Sequence, residues 1–231
     1  MNAYLMSAGC ATRLRPMTER YPKCLLKISQ KPMIEHWLNA VFGCEQFNNV
    51  FVNVHHCSEK VIAWVKNYCK YRQVNVQIID ETAGLLGTAG TLYWHGDPTE
   101  DFMVAYTDTF SEKFFKNIKD YIGMWKNNPD KPLASLFSFD LPEDKSAGSM
   151  EVDYIGNITK FSEKNEDGLV AWAGIMFCRG NFIDEVGMND KDISRDVFPR
   201  LAEKMSVMAH IDAYDIGRGV EEYEHFNRKN G

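Results

Sequence analysis

A chain of 231 residues, 45% hydrophobic and 25% charged, has the composition of an ordinary globular protein. It is long enough to bury roughly 70% of its unfolded surface in one large or two small domains. A formal net charge of −6 argues against general affinity for nucleic acid, because binding a polyphosphate needs an excess of Lys and Arg. No run reaches the ~20 apolar residues of a membrane span, and no charged head with an apolar core marks a secretion signal. The six cysteines show neither a CxxC pair nor a metal-finger spacing, and they read as reduced thiols of a cytoplasmic protein.

In chain order, "AYLMS" (3–7) reads as a strand, and "KPMIEHWLNAVF" places Ile34, Trp37, Leu38 and Val41 on one helical face. "VFVNV" (50–54) is a second strand. "SEKVIAWVKNYC" is a helix with Ser58 as its expected N-cap and Val61, Ile62, Val65 and Cys69 as its buried stripe. "VNVQIID" (74–80) and "FMVAYTD" (102–108) are further strands, the latter ending at an acid. A helix follows on which Phe114, Phe115, Ile118, Ile122 and Trp125 recur at three and four residues. "VHHC" (54–57) holds potential metal ligands, but neighbours on a strand point to opposite faces and no third ligand is evident, so a structural role is the better reading.

The second half reads differently: "PLASLFSF" (132–139), "SMEVD" (149–153), "NITKFSE" (157–163) and "AWAGIMFC" (171–178) are strand-like, and helical material returns at "DVFPRLAEKM" (196–205). Alternating strands and helices followed by strands predict an α/β fold: a Rossmann-like, mostly parallel sheet flanked by helices, with a mixed-sheet lobe. No linker of Pro, Gly or Ser divides the chain. The expectation is one domain of residues 1–231, with a nucleotide-binding lobe over about 1–130 and an acceptor-binding lobe over about 131–231.

Charge is unevenly spread. From Arg13 to Lys31 six basic residues and one acid give +5, which leaves −11 for the rest. That segment follows the first predicted strand, and ligands of parallel sheets bind beyond the carboxyl ends of strands. A small polyanion is therefore the expected partner. A Walker loop and a dinucleotide fingerprint both fail, since "AGCATRL" has Gly9 alone.

The stretch Ala8-Gly9-Cys10-Ala11-Thr12-Arg13-Leu14-Arg15-Pro16-Met17-Thr18, followed by Pro22-Lys23, resembles the GGxGTRLxPxT and PK signature of sugar-phosphate nucleotidyltransferases. "LLGTAGTL" (85–92) is similar to the family's LGTAG nucleotide loop, "YTDTF" (106–110) to its GD metal motif, "FSEKNE" (161–166) to FxEKP and "YDIGRGVEEY" (214–223) to DIGTPEDY. The resemblance covers almost the whole chain, and its short form is most like the heptose- and mannose-1-phosphate guanylyltransferases. It implies an enzyme in which a sugar 1-phosphate oxygen attacks the α-phosphorus of a nucleoside triphosphate and pyrophosphate leaves. Such a reaction is served by positioning and charge neutralisation.

Carried over by position, the resemblance makes Arg13, Lys23 and Asp108 catalytic. Ala8, Gly9, Cys10, Ala11, Thr12, Leu86, Gly87 and Thr88 would bind the nucleotide, and Gly148, Glu163, Lys164 and Gly174 the sugar phosphate. Asp108 and Asp215 would bind Mg²⁺. Arg15, Arg20, Lys27 and Lys31 read as solvated charges. GTP is the first choice of nucleotide, CTP and UTP stay open, and the acceptor is a sugar 1-phosphate or another phosphorylated small molecule. A non-catalytic, nucleotide-binding regulator is the rival reading. The chain stops just past the DIG motif, which predicts a core transferase without a C-terminal extension, serving surface-glycan synthesis. Neither nucleic acid nor membrane is an expected partner, and nothing in the sequence signals an oligomeric state. Five positions depart from the family pattern: Ala8 and Ala11 replace glycines, Thr107 replaces the glycine before Asp108, Asn165 replaces the proline of FxEKP, and Arg218 replaces a threonine. An alanine at a position needing positive φ carries a cost of roughly 1 kcal/mol or more.

Overall fold

The computed structural model describes residues 1–142, 147–163 and 168–230. These residues fall into two units that interleave along the chain and are not divided at a single point near residue 130. One comprises residues 1–85, 105–118 and 214–231, the other 86–104 and 119–213.

In the first unit, strand Asn2–Met6 runs parallel to Asn49–Val54, with Leu5 opposite Val52. Asn49–Val54 in turn runs parallel to Gln77–Asp80, with Val52 opposite Ile78. All five residues of Asn2–Met6 are buried. Strands covered on both faces need such unbroken burial, which is why "AYLM" lacks alternation. Helix Met33–Gly43 buries Ile34, Trp37, Leu38 and Val41 together with Met33, and the Trp37 indole N–H donates to the Thr109 carbonyl at 3.0 Å.

Helix Ser58–Arg72 corrects two expectations. Its buried stripe is Val61, Val65 and Tyr68, with Ile62 and Cys69 only half-buried, and Ser58 is not its N-cap. Ser58 is its first residue, and the position before it is Cys57, held left-handed at φ 51° with no side-chain cap. The Cys57 carbonyl accepts from Lys60 N–H at 3.0 Å, so the turn leaving the preceding strand starts the helix through backbone alone.

The last residues of this unit return to its start. Tyr214–Asp215 pairs antiparallel with Thr109–Phe110, placing Asp215 opposite Thr109. Ile216 then enters a core with Leu14, Leu26, Ile28, Met33 and Tyr223, and the Tyr223 hydroxyl donates to the Lys27 carbonyl at 2.8 Å. Two stretches some two hundred residues apart in sequence thereby share one hydrophobic cluster.

The second unit is built on strand Val170–Cys178, buried from Ala171 onward. It lies antiparallel to Ala134–Phe139 and, at its start, to Ser149–Val152. Ser149–Val152 is antiparallel to Ile158–Ser162, while Met205–His210 runs parallel to Ala134–Phe139. Phe137 packs edge-on against Phe177 and Tyr121, at 5.5 and 5.0 Å. The helix expected over "DVFPRLAEKM" is fragmented: a π turn Ile193–Val197, an α turn Phe198–Leu201 and a 3₁₀ turn Ala202–Lys204 precede the strand. Pro199, which has no N–H to donate, sits in the first turn of the α piece, where none is needed. The fold class is α/β, with a parallel, helix-covered sheet in the first unit and a mixed sheet in the second.

Ile216 is fully buried, so Ile216→Ala should lower unfolding free energy by about 2–5 kcal/mol. Chemical denaturation checks this. A loss below about 1 kcal/mol would mean that the returning segment is not part of the core.

Candidate functional site

In the first unit the carry-over residues flank the carboxyl ends of the parallel strands. The chain leaves Met6 with its next two peptide groups already committed: Ser7 and Ala8 N–H both donate to Asn53 Oδ1, at 2.6 and 3.2 Å. Asn53 Nδ2 donates to Glu81 Oε1 at 2.9 Å. Ala8 is buried, Gly9 is exposed, and Cys10 is half-buried. A β-carbon at Gly9 would meet nothing within 4 Å.

Ala11 adopts φ 48°, ψ 45°, a left-handed conformation, and stands before the 3₁₀ turn Thr12–Leu14. A methyl-bearing residue is held there by its carbonyl, which accepts from the Thr18 hydroxyl at 2.7 Å and from Leu14 N–H at 3.1 Å. The Thr18 carbonyl accepts in turn from His56 Nε2 at 2.7 Å. Since a carbonyl only accepts, that nitrogen carries a proton. His56 therefore has a structural partner. Among the described residues no cluster of three or more His, Cys, Asp or Glu is placed to hold a metal. Thr12, Arg13 and Arg15 are exposed.

Lys23, Asp108 and Asp215 converge. The Lys23 ammonium forms an ion pair with Asp108 Oδ2. Asp215 Oδ1 accepts from Gly217 N–H at 2.7 Å. A β-carbon built on Gly217 would lie 2.7 Å from Lys23 Nζ, 2.9 Å from Asp215 Oδ1 and 3.3 Å from Asp108 Oδ2. A side chain at 217 would have to displace the ends of these polar side chains. Asp108 is positioned by its own carbonyl, which accepts from Ile216 N–H at 3.0 Å. Its side chain is not needed to cap the following helix, because Ser111 Oγ accepts from Phe114 N–H at 3.1 Å.

The electrostatics follow from this crowding. Burial and the neighbouring Asp108 charge push the Asp215 carboxyl up to about 6, against the opposing pull of Lys23. Burial draws Lys23 down, but the charge and hydrogen bond of Asp108, with Asp215 behind it, prevail and leave it raised; the Arg13 charge opposes them. Lys23 is held as an ammonium. Two carboxylates share this place with one ammonium, so its donors are hard oxygens carrying excess negative charge, the kind that suits a small divalent cation with phosphate oxygens completing the shell.

Thr107, where the family has glycine, is 3% exposed. Its hydroxyl donates to the Met6 carbonyl at 3.0 Å and lies 3.0 Å from Ser7 Oγ. Arg218 acts on Asp215 through its charge, opposing the upward shift.

The second unit holds the other carry-over residues. "LLGTAGTL" is not an open loop: from Gly87 it forms helix Gly87–His95, preceded by Leu86. Gly87 has φ 78°, and a β-carbon there would lie 2.2 Å from the Lys191 carbonyl oxygen. Ala89 N–H donates to that same oxygen at 3.2 Å, and Thr88 Oγ1 accepts from Ile193 N–H at 3.0 Å. Gly148 faces the Phe161 ring, which a β-carbon would approach to 2.7 Å, and Gly174 adopts φ 73°. Glu163 is exposed, and its Oε2 lies 2.5 Å from the Ser194 hydroxyl, which is also 2.7 Å from Asp192 Oδ1. Lys164 lies outside the described residues.

Several residues that organise the site were not singled out from the sequence. Asn53 was one signal available there, a polar residue amid apolar neighbours in "VFVNV"; the acid following "IID" was another. Asp192 and Ser194 form an Asp-x-Ser cap, with Asp192 Oδ1 accepting from the N–H groups of Ser194 and Arg195 at 2.9 and 3.1 Å.

Residues 2–218 match the family model described as nucleotidyl transferase. The chain belongs to that family. Mannose-1-phosphate guanylyltransferase 1 of Arabidopsis thaliana is 26% identical over 218 residues, covering 91% of this chain and 59% of the relative. The UTP–glucose-1-phosphate uridylyltransferase of Synechocystis is 25% identical over 239 residues, covering 94% and 60%. The chain therefore spans about three fifths of the length of the curated relatives it matches. A crystal structure of a UDP-glucose pyrophosphorylase complexed with UDP-glucose shares the fold, with a TM-score of 0.77, 17% identity and coverage of 99% of this chain and 97% of that one.

Two outcomes follow from the first unit's geometry. Asp215→Asn keeps the acceptor for Gly217 N–H and removes a charge that the folded state disfavours. With the carboxyl at about 6 folded and 3.8 unfolded, folding binds a proton, and stability falls as pH rises from about 4 to 6. The variant should therefore be more stable than the parent by roughly 1–3 kcal/mol at pH 7 and equal to it near pH 4. Thermal melts without added metal, across that range, measure it, and an advantage that persists unchanged at pH 4 would contradict the assignment. Ala11→Gly removes a methyl from a left-handed residue whose carbonyl stays anchored. It should tighten triphosphate binding, and equal or weaker binding by calorimetric titration would show a loop already adapted to alanine.

Proposed function

We propose that this protein transfers a nucleotidyl group from a nucleoside triphosphate, GTP first, to a sugar 1-phosphate. An oxygen of the sugar phosphate forms a bond to the α-phosphorus, the bond from that phosphorus to the bridging oxygen breaks, and pyrophosphate leaves with the electron pair. An NDP-sugar is the product, formed in the cytoplasm for glycan synthesis. The observation that carries this reading is the convergence of Lys23, Asp108 and Asp215 on Gly217 in the unit that also presents the signature loop. Guanylyl specificity and a mannose-type acceptor rest on the likeness to the mannose-1-phosphate guanylyltransferase of Arabidopsis.

Each group has a task in that chemistry. Arg13, exposed beside the loop, would neutralise the triphosphate and the charge that grows on departing pyrophosphate. Lys23 would exchange part of its contact with Asp108 for phosphate oxygens. The loop from Gly9 to Thr12 would lie against the triphosphate, while Ala8, whose N–H is committed to Asn53, would contribute contact through its methyl and carbonyl. Asp108 and Asp215 would hold Mg²⁺, which when bound neutralises phosphate charge and orients the reacting groups. Leu86, Gly87 and Thr88 would meet the base, and Gly148, Glu163, Lys164 and Gly174 the sugar. The uridylyltransferase name of the Synechocystis relative favours UTP as the second nucleotide to try.

The test is pyrophosphate release with Mg²⁺, crossing GTP, UTP, CTP and ATP with mannose, glucose and heptose 1-phosphates. GTP with mannose or heptose 1-phosphate should give the highest kcat/KM. Arg13→Ala should lower that value by about 10²-fold or more, mostly through kcat, while Arg20→Ala leaves it within about two-fold. Triphosphate binding without pyrophosphate release from any pair would identify a regulator instead of an enzyme.

A further inference from the structure

The segment Asn53-Val54-His55-His56, where strand Asn49–Val54 ends and the turn after it begins, has no task in the proposed chemistry, yet its first residue grips the start of the signature loop. We propose that Asn53 and Glu81 are positioning residues that set this loop for a triphosphate, acting through the first two peptide groups after the strand. This rests on reading residues 8–13 as the triphosphate-binding surface.

The directions of the hydrogen bonds leave one arrangement for the Asn53 amide. Its oxygen accepts two successive N–H groups, from Ser7 at 2.6 Å and Ala8 at 3.2 Å, and its nitrogen donates to Glu81 Oε1 at 2.9 Å. Rotating the amide by half a turn would set its NH₂ against two donors and its oxygen against a carboxylate. Asn53 and Glu81 are 3% and 2% exposed, so water cannot repair such a mismatch. Glu81 is itself tied down, its N–H donating to the Val54 carbonyl at 2.8 Å and its carbonyl accepting from Gly84 N–H at 3.0 Å.

The effect is to clamp one side of the loop to the adjacent strand. The other side is clamped where Thr18 holds the Ala11 carbonyl. Between the clamps lie Gly9, around which the space is open, and Cys10. A short span fixed at both ends loses little further entropy when a ligand orders it, and that saving appears as affinity.

The experiment reverses the polarity of the link. Asn53→Asp still offers an oxygen to Ser7 and Ala8 but turns its second oxygen toward the Glu81 carboxylate. Glu81→Gln alone keeps an acceptor for the Asn53 amide. In the double variant the introduced amide donates to the introduced carboxylate, so the link re-forms with one negative charge, as in the parent. Asn53→Asp should raise KM for the triphosphate about ten-fold or more, change KM for the sugar phosphate less than about two-fold, and speed iodoacetamide alkylation of Cys10, located by peptide mass spectrometry, by several-fold; the double variant should return all of these toward parental values. A merely structural role predicts instead a lower melting temperature, a smaller active fraction, and unchanged KM.

The proposal is overturned if the single variant leaves Cys10 reactivity unchanged, or if the double variant is no better than the single. Should Asn53→Asp fail to fold, Asn53→Ser, which is shorter and uncharged, is read in the same way. If the parent turns over no triphosphate, the functional reading fails on its own, and Cys10 alkylation across the same variants still decides whether Asn53 and Glu81 set the loop.

Discussion

Two carboxylates and one ammonium gathered around a single glycine are the constraint on which the first unit turns. Asp108 and Asp215 repel, and the Lys23 ammonium, paired with Asp108, does not cancel both charges. Burial first, and this repulsion second, push the Asp215 carboxyl up to about 6. The arrangement persists because the backbone leaves no alternative. Tyr214–Asp215 is hydrogen-bonded to Thr109–Phe110, and Ile216 is locked in the core beside Leu14. Hydrophobic burial of one residue thus fixes the position of its charged neighbour, as is common where function requires like charges to meet.

The departures from the family's glycines make physical sense once their partners are seen. Thr107 replaces conformational freedom with a hydroxyl that ties the Met6 carbonyl and Ser7 together. Ala11 stays left-handed although it carries a methyl, because its carbonyl is held by Thr18 and Leu14. Ala8 is buried, with its N–H donated to Asn53. The Thr107 hydroxyl makes bonds that glycine could not; the bonds at Ala8 and Ala11 are made by backbone groups that a glycine would share, and they hold the alanine in place.

Much of this fold was legible because its signals are local. Apolar periodicity located the longer strands up to Val170–Cys178 and the helices Met33–Gly43 and Glu112–Lys126, but not the strand Met205–His210. The signature around Arg13 and Lys23 could be read because loop chemistry is written in consecutive residues. What could not be read depends on pairs far apart in sequence: Asn53 with Glu81, Thr18 with His56, Asp108 with the Ile216 backbone. Each partner alone looks like an ordinary polar residue. "DVFPRLAEKM" misled for the opposite reason: its composition favours a helix, but the segment breaks into π, α and 3₁₀ turns and gives way to a strand at Met205. The interleaving of the two units escaped notice because no change in composition accompanies the crossings near residues 85, 104, 118 and 213.

The charge stored at Asp215 also links stability to ligation. In the free protein the ionised carboxyl works against folding at neutral pH, and any cation that settles between the two carboxylates relieves that cost as it binds. Binding and stabilisation then draw on the same electrostatic free energy. Neutralising the site by mutation supplies the stability permanently and removes the attraction for the cation. A residue that is worse than its amide for the fold and better for the ligand marks a position held by function, since folding alone would not retain it. On the proposed reading that Asp108 and Asp215 hold a cation, Asp215 meets that description: burial and the Asp108 charge push its carboxyl up, its partner Gly217 leaves room where a β-carbon would intrude, and its place is set by the buried residue that follows it.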